Sequence, residues 1–161
     1  MKKKINRRSF IKNASIPVLG AATFSTFNVH ASTTTELNMV TSWPESFPGI
    51  GLGANRLAQR IESLSNKRIK VNVYSAGKLV PPFGVFDAVS SGTADLYHSA
   101  EFYWGGKNKA YPFFAAVPFG MTAEEFNSWI YSGNGQMLWD ELGSDFNVKH
   151  FLVGNLSLIH I

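Results

Sequence analysis

Cysteine is absent from all 161 residues, which excludes disulfides and thiolate metal sites outright. Histidine is scarce. His98 and His150 stand far apart, and no His-x-x-x-His spacing or carboxylate cluster accompanies them, so a zinc-type site has no donors in register. Gly-x-Ser-x-Gly is missing too, and Ser90-Ser91-Gly92 follows an ordinary helical stretch, leaving no nucleophile elbow. Asp95 and His98 are three apart in a strand-like segment, a spacing that sends them to opposite faces rather than into an acid–base pair. The one long apolar stretch, Ala14 to about Phe27, carries Ser15, Thr23, Ser25 and Thr26 and falls short of the ~20 apolar residues a membrane span needs.

Acidic residues are absent before Glu36, whereas Lys2, Lys3, Lys4, Arg7, Arg8 and Lys12 crowd the start. Basic, apolar and small-residue zones in that order, ending at Val29-His30-Ala31, mark residues 1–31 as a secretory leader cleaved near Ala31. Asn6-Arg7-Arg8-Ser9-Phe10-Ile11-Lys12 resembles the twin-arginine signal, with Asn6 in place of Ser or Thr and Ile11 in place of Leu. Arg7 and Arg8 are its signal residues, and a chain exported that way crosses the membrane folded. Six of the fifteen basic residues leave with the leader, so nine face eleven acidic ones, a net charge of −2. Nucleic-acid binding, which needs a basic patch on the folded part, is thereby disfavoured. Lys67-Arg68-Lys70 reads as a solvated turn.

Glu36–Ser42 reads as a first strand, followed by a Pro- and Gly-rich loop from Trp43 to Gly53. Leu57, Ala58, Ile61 and Leu64 fall on one helical face. Ile69, Val71 and Val73 alternate with polar or amphipathic neighbours as a second strand. Pro81-Pro82 opens a short helix through Val85, Phe86 and Val89, stopped by Gly92. Ala94–Ser99 is a third strand. Thr122 with Glu125 forms a capping box for a helix carrying Phe126, Trp129 and Ile130. A further helix runs from about Gln136 to Leu142, and Val148–Val153 reads as a fourth strand. Alternating strands and helices predict an α/β lobe with a largely parallel sheet. In such lobes ligands bind at the carboxyl ends of strands, which puts Trp43–Phe47, Ser75–Lys78 and His98–Tyr103 near one rim.

Gly49-Ile50-Gly51-Leu52-Gly53-Ala54 mimics a dinucleotide fingerprint. Six residues separate it from the first strand, so the tight turn is lost, and Val71–Ser75 offers no acid for a ribose. Loop aromatics are more telling. Trp43, Phe47, Tyr103, Trp104, Phe113, Phe114 and Phe119 together suggest an apolar pocket wall, with Tyr and His supplying directed hydrogen bonds.

The segments Ser42-Trp43-Pro44, Ala76-Gly77-Lys78-Leu79-Val80-Pro81-Pro82, Val85-Phe86-Asp87-Ala88-Val89 and Gly92-Thr93-Ala94-Asp95 resemble the solute receptors of TRAP (tripartite ATP-independent periplasmic) transporters. So do His98 to Trp104 with Gly106-Lys107, and Ala116-Val117-Pro118-Phe119-Gly120. The likeness runs from about Trp43 to Asn155. It is strongest to the branch of α-keto acid receptors and of those labelled mannitol or chloroaromatic.

The resemblance implies a periplasmic-binding-protein-like α/β lobe, residues 32–155, one of two that close over a small carboxylate such as a 2-oxo acid. The partners implied are the organic acid and the sodium-driven membrane subunits, with no ATP hydrolysis, no nucleic acid and no enzyme activity. It also implies that the complete protein is periplasmic, with room for a homodimer and for sodium or another cation beside the ligand. Ligand contacts carry over to Trp43 as an apolar wall, Phe47 beside it, and His98 and Tyr103 as donors. Phe102 stands where a second tyrosine is expected.

In the family, Gly154-Asn155 leads to a Gly/Gln/Trp-rich segment and an arginine that forks onto the carboxylate. Here Leu156 to Ile161 follow, a tail unlike the family that reads either as a truncated or misassembled end or as one foreign to the gene, with the second lobe missing. The chain as written is therefore expected to hold organic acids weakly or not at all. It is also expected to be poorly soluble, its sheet edges being open. The alternatives are a receptor for an aromatic acid or polyol, an exported α/β enzyme with catalytic residues in the missing part, and a structural or signalling lobe.

Overall fold

The computed structural model describes residues 34–115 and 117–155. The leader with Arg7, Arg8 and the cleavage near Ala31, and the tail 156–161, lie outside them. Three parallel strands form the sheet: β1 (Thr35–Thr41), β2 (Ile69–Tyr74) and β3 (Leu96–His98), in the order β2-β1-β3. β1 pairs with β2 from Thr35↔Ile69 to Val40↔Tyr74, and with β3 from Met39↔Leu96 to Thr41↔His98. Its burial deepens along its length, from exposed Thr35 to Met39, Val40 and Thr41, all buried. The carboxyl end of the central strand is therefore the best-packed part of the sheet.

α1 (Ile50–Leu64) carries the chain from β1 to β2, and α2 (Val85–Ser90) from β2 to β3 on the far side of β1. Neighbouring strands thus diverge in connection at β1 and β3, which makes the crevice beyond their carboxyl ends the topological switch point. Helix α1 packs by close approach as well as by its apolar stripe, of which Ala58 is buried and Leu57 and Ile61 are half-buried. Gly51, Ala54 and Ala58 are buried, whereas Leu64, expected on the core face, is 80 % exposed. A Cβ on Gly51 would stand 2.9 Å from Phe47 Cβ and 3.0 Å from the Pro44 carbonyl. Gly51 thus seats the loop after β1 on the helix start. α2 begins only at Val85, because Gly84 N–H closes a turn onto the Pro81 carbonyl at 2.8 Å; the two prolines precede the helix.

α3 (Ala123–Ser132) opens with the expected capping box: Thr122 Oγ1 accepts from Glu125 N–H, and Glu125 Oε2 accepts from Thr122 N–H at 2.8 Å. Thr122→Ala is expected to lower stability by about 1 kcal/mol, read as a shifted urea midpoint with an unchanged slope. α4 spans Gly135–Ser144.

Two expectations need correction. Val148–Val153 forms no strand among the described residues. Its alternation is real, with Val148 and His150 buried and Lys149 and Phe151 exposed. Its carbonyls, however, are taken by side chains of α3 and α4. Gln136 Nε2 donates to the His150 carbonyl at 3.0 Å and Tyr131 OH to that of Leu152 at 3.3 Å. Trp104 and Phe114, expected in a pocket wall, belong to the core with Val40, Phe86, Tyr111 and Ile130. They sit in 3₁₀ segments, Glu101–Gly106 and Tyr111–Phe114, whose three-residue turn puts positions i and i+3 on one face, so Trp104 is buried with Glu101 and Phe114 with Tyr111. Phe113 and Phe119 are exposed.

Candidate ligand site at the switch point

Thr41 ends β1 opposite His98, the last residue of β3. That register brings residues 55 apart in sequence into contact: Trp43 Nε1–H donates to His98 Nδ1 at 2.7 Å, with the rings edge to face at 6.4 Å. Tyr103 lies 6.2 Å from the Trp43 ring and packs edge-on to Phe83 at 4.9 Å. Three of the four residues expected to touch ligand are thus gathered in one cluster. Phe47 stands apart. It is half-exposed at 46 %, and among the described residues it makes no ring contact with the other three. Its main-chain carbonyl accepts from Leu52 N–H at 3.1 Å at the start of α1.

Small polar residues hold the rim. Ser42 Oγ meets the Pro82 carbonyl at 2.7 Å and Ser99 Oγ at 2.6 Å, while Ser42 N–H donates to the His98 carbonyl at 3.2 Å. Thr41 Oγ1 donates to the Trp43 carbonyl at 3.1 Å, and that carbonyl also accepts from Ala76 N–H at 2.9 Å. The loops after all three strands are therefore tied together at Trp43. Ser42, Ser99, Thr41 and Phe83 escaped sequence reasoning. Ser42-Trp43-Pro44 and the His98–Trp104 segment were the available signals, and they pointed to Trp43, His98 and Tyr103 rather than to the serines.

Burial holds the His98 imidazole below its ordinary pKa, so the ring is neutral at pH 7. With Nδ1 accepting from Trp43, its single proton sits on Nε2. No cluster of three or more His, Asp or Glu able to hold a metal occurs among the described residues, and none of them is assigned to a cation. A shallow hollow of about 500 Å³ lined by Asn108, Leu138, Glu141, Leu142, Ser144 and Asp145 shares no residue with the rim.

A second polar group is buried in the core that carries the rim. Glu101, 7 % exposed, accepts from Tyr97 OH at 3.0 Å, and its other oxygen faces His150 Nε2 at 3.9 Å. Trp139 stacks on His150 at 5.0 Å, and Tyr111 packs against its edge. Burial pushes the Glu101 carboxyl up to about 7, against the pull of the Tyr97 hydrogen bond, and pushes His150 down to about 4. At pH 5.5 both are neutral.

The signs of the two linkages oppose each other. Glu101 holds a proton in the folded chain that the unfolded chain releases, so its contribution is full below 4.5 and lost as pH rises through 7. His150 contributes above 6.5 and loses that contribution as pH falls through 4. Glu101→Gln removes the first term only. Relative to the parent, the variant's unfolding free energy is expected to gain a positive slope of about 1.4 kcal/mol per pH unit between 4.5 and 7. Urea melts of both proteins at several pH values give that difference; parallel profiles would contradict the neutral carboxyl.

Residues 39–154 match the profile of the bacterial extracellular solute-binding proteins, family 7. The chain belongs to that family. TRAP solute-binding proteins are its solved relatives, so the expected resemblance and the α/β class hold. A monocarboxylate 2-oxoacid-binding periplasmic protein of a Nostoc species is 33 % identical over 94 % of this chain and 43 % of its own length. The solved TRAP solute-binding protein of Pseudoalteromonas atlantica, with bound sodium and pyruvate, is 34 % identical. It superposes with a TM-score of 0.68 over 70 % of this chain and 34 % of its own. That of Bordetella bronchiseptica, a dimer with calcium and picolinate in one site, gives 34 % and 0.69 over 71 % and 34 %. The chain therefore spans less than half the length of these relatives. Solute-binding proteins of this family serve transport outside the cytoplasm.

Proposed function

We propose that this chain supplies one wall of an extracytoplasmic receptor for a small organic acid, a 2-oxo acid or a related monocarboxylate, taken up by a TRAP transporter. The observation that carries the reading is the cluster of Trp43, His98 and Tyr103 at the switch point. Buried Trp43 there backs the half-buried His98 and Tyr103, whose donors suit a short ligand with one apolar end and acceptor oxygens. Relatives bound to pyruvate, picolinate and 2-oxo acids support that ligand class. Membrane transporter subunits as partners, a cation beside the ligand, a homodimer and the absence of turnover are parts of the same proposal.

One wall offers only part of the contact area, so affinity is expected to be weaker than about 1 mM. Saturation-transfer NMR with pyruvate suits that range. Transfer from aromatic protons of the chain to the pyruvate methyl, with the pyruvate signal constant over time, is the expected result. Consumption of pyruvate would favour an exported enzyme. Neither transfer nor consumption would favour a structural or signalling lobe.

A further inference from the structure

The structure gives Trp43 a role other than that of an apolar wall. Its indole N–H is spent on His98 Nδ1 at 2.7 Å, while its backbone carbonyl is held twice, by Thr41 Oγ1 at 3.1 Å and Ala76 N–H at 2.9 Å. The backbone of His98 is fixed as well: it is paired with Thr41 in the sheet, and its carbonyl accepts from Ser42 N–H. Donor and acceptor are thus both clamped, and Trp43 is 7 % exposed. An indole N–H can only donate, so Nδ1 can only accept.

We infer that Trp43 is a positioning residue: it locks His98 as a neutral imidazole with its one proton on Nε2, so that the ring presents a donor to an acceptor oxygen of the ligand. The inference rests on the ligand reading above. Its consequence for recognition is a sign. A free histidine offers either nitrogen as donor or acceptor and gains charge in mild acid. The clamped ring offers one donor and no acceptor, so it favours ligand groups that accept and disfavours those that only donate. Burial of His98 acts in the same direction by disfavouring the imidazolium. No partner for Nε2 occurs among the described residues, whereas Nδ1 is taken.

The test is long-range ¹H–¹⁵N NMR of the imidazole groups in the full chain, with His98→Gln identifying the signal and Trp43→Phe removing the N–H while keeping a ring. In the parent, His98 is expected in the Nε2–H form through neutral pH. In Trp43→Phe it should become a mixture of tautomers and titrate at higher pH. With pyruvate as probe, the His98 Nε2–H signal of the parent should move, and it should move less in Trp43→Phe at equal pyruvate. An Nδ1–H form in the parent, or an unchanged tautomer in a folded Trp43→Phe, overturns the inference and leaves the ligand reading standing. The expected tautomer together with a pyruvate-insensitive Nε2–H, while Tyr103 signals do shift, removes His98 from the contacts and overturns the role given to Trp43. If no rim signal responds to pyruvate, the ligand reading fails and the inference with it. A packing role alone would leave the tautomer unchanged, and a hydrogen bond with no part in recognition would leave the pyruvate response the same in both proteins.

Discussion

Gly143→Ala is expected to destabilise the domain by at least about 3 kcal/mol, the upper end of overpacking costs. A Cβ at this position would run into the Val148 carbonyl oxygen and stand 2.8 Å from both Cε1 and Nδ1 of His150. Neither obstacle can move freely. Val148 N–H and Phe146 N–H both donate to the Gly143 carbonyl at 3.0 Å, which holds the turn against the end of α4. His150 is pinned between the stacked Trp139 ring and the Glu101 carboxyl. The substitution therefore pries the 148–150 segment from the core. Gly53→Ala is the matching control: nothing lies within 4 Å of its added Cβ, and in a helix the change should stabilise by up to about 1 kcal/mol. Urea melts give both values. Equal midpoints for the two variants would refute the packing described for α4.

Phe86→Ala should cost roughly 3–5 kcal/mol, the usual range for a fully buried aromatic ring. Phe86 has no exposed surface and is ringed by Trp104 at 5.2 Å, Phe146 at 5.4 Å, Tyr111 at 5.5 Å and Tyr97 at 5.9 Å. Domains are stable by only about 5–15 kcal/mol, so the variant sits near the edge of folding. Tyr97 precedes His98 in β3 and Trp104 follows Tyr103, so the cavity opens directly behind the rim. Near-ultraviolet circular dichroism through a urea titration reports both stability and the loss of the aromatic cage. A loss under about 1 kcal/mol would mean that these rings close over the gap and do not fix the rim.

Most of the sheet was legible in the sequence because its signals are local. Period-2 alternation marked β2, the Thr122/Glu125 pair marked the start of α3, and the parallel arrangement followed from strands separated by helices. The rim at Trp43, Ser75 and His98 followed in turn from parallel strands ending together. What was not legible depends on register or on tertiary choice. The Trp43–His98 bond exists because Thr41 pairs with His98, which no local pattern encodes. Val148–Val153 alternates like a strand, yet Gln136 and Tyr131 claim its carbonyls, a competition invisible to periodicity. Trp104 and Phe114 looked like loop aromatics because 3₁₀ winding has neither a period of 2 nor one of 3.6. Nothing in the local pattern around Glu101 signals burial, yet the fold closes over it together with His150.

The central claim is that ligand meets this chain at the switch point, on Trp43, His98 and Tyr103. Chemical-shift mapping of the full chain during a pyruvate titration tests it most directly. The expected result is a set of saturable shifts at the Trp43 indole, the His98 ring and the Tyr103 ring, with Ser42 and Ser99 following and the 108–145 hollow silent. Shifts centred on Asn108, Leu138 and Glu141, or none at the rim at any pyruvate concentration, would contradict it.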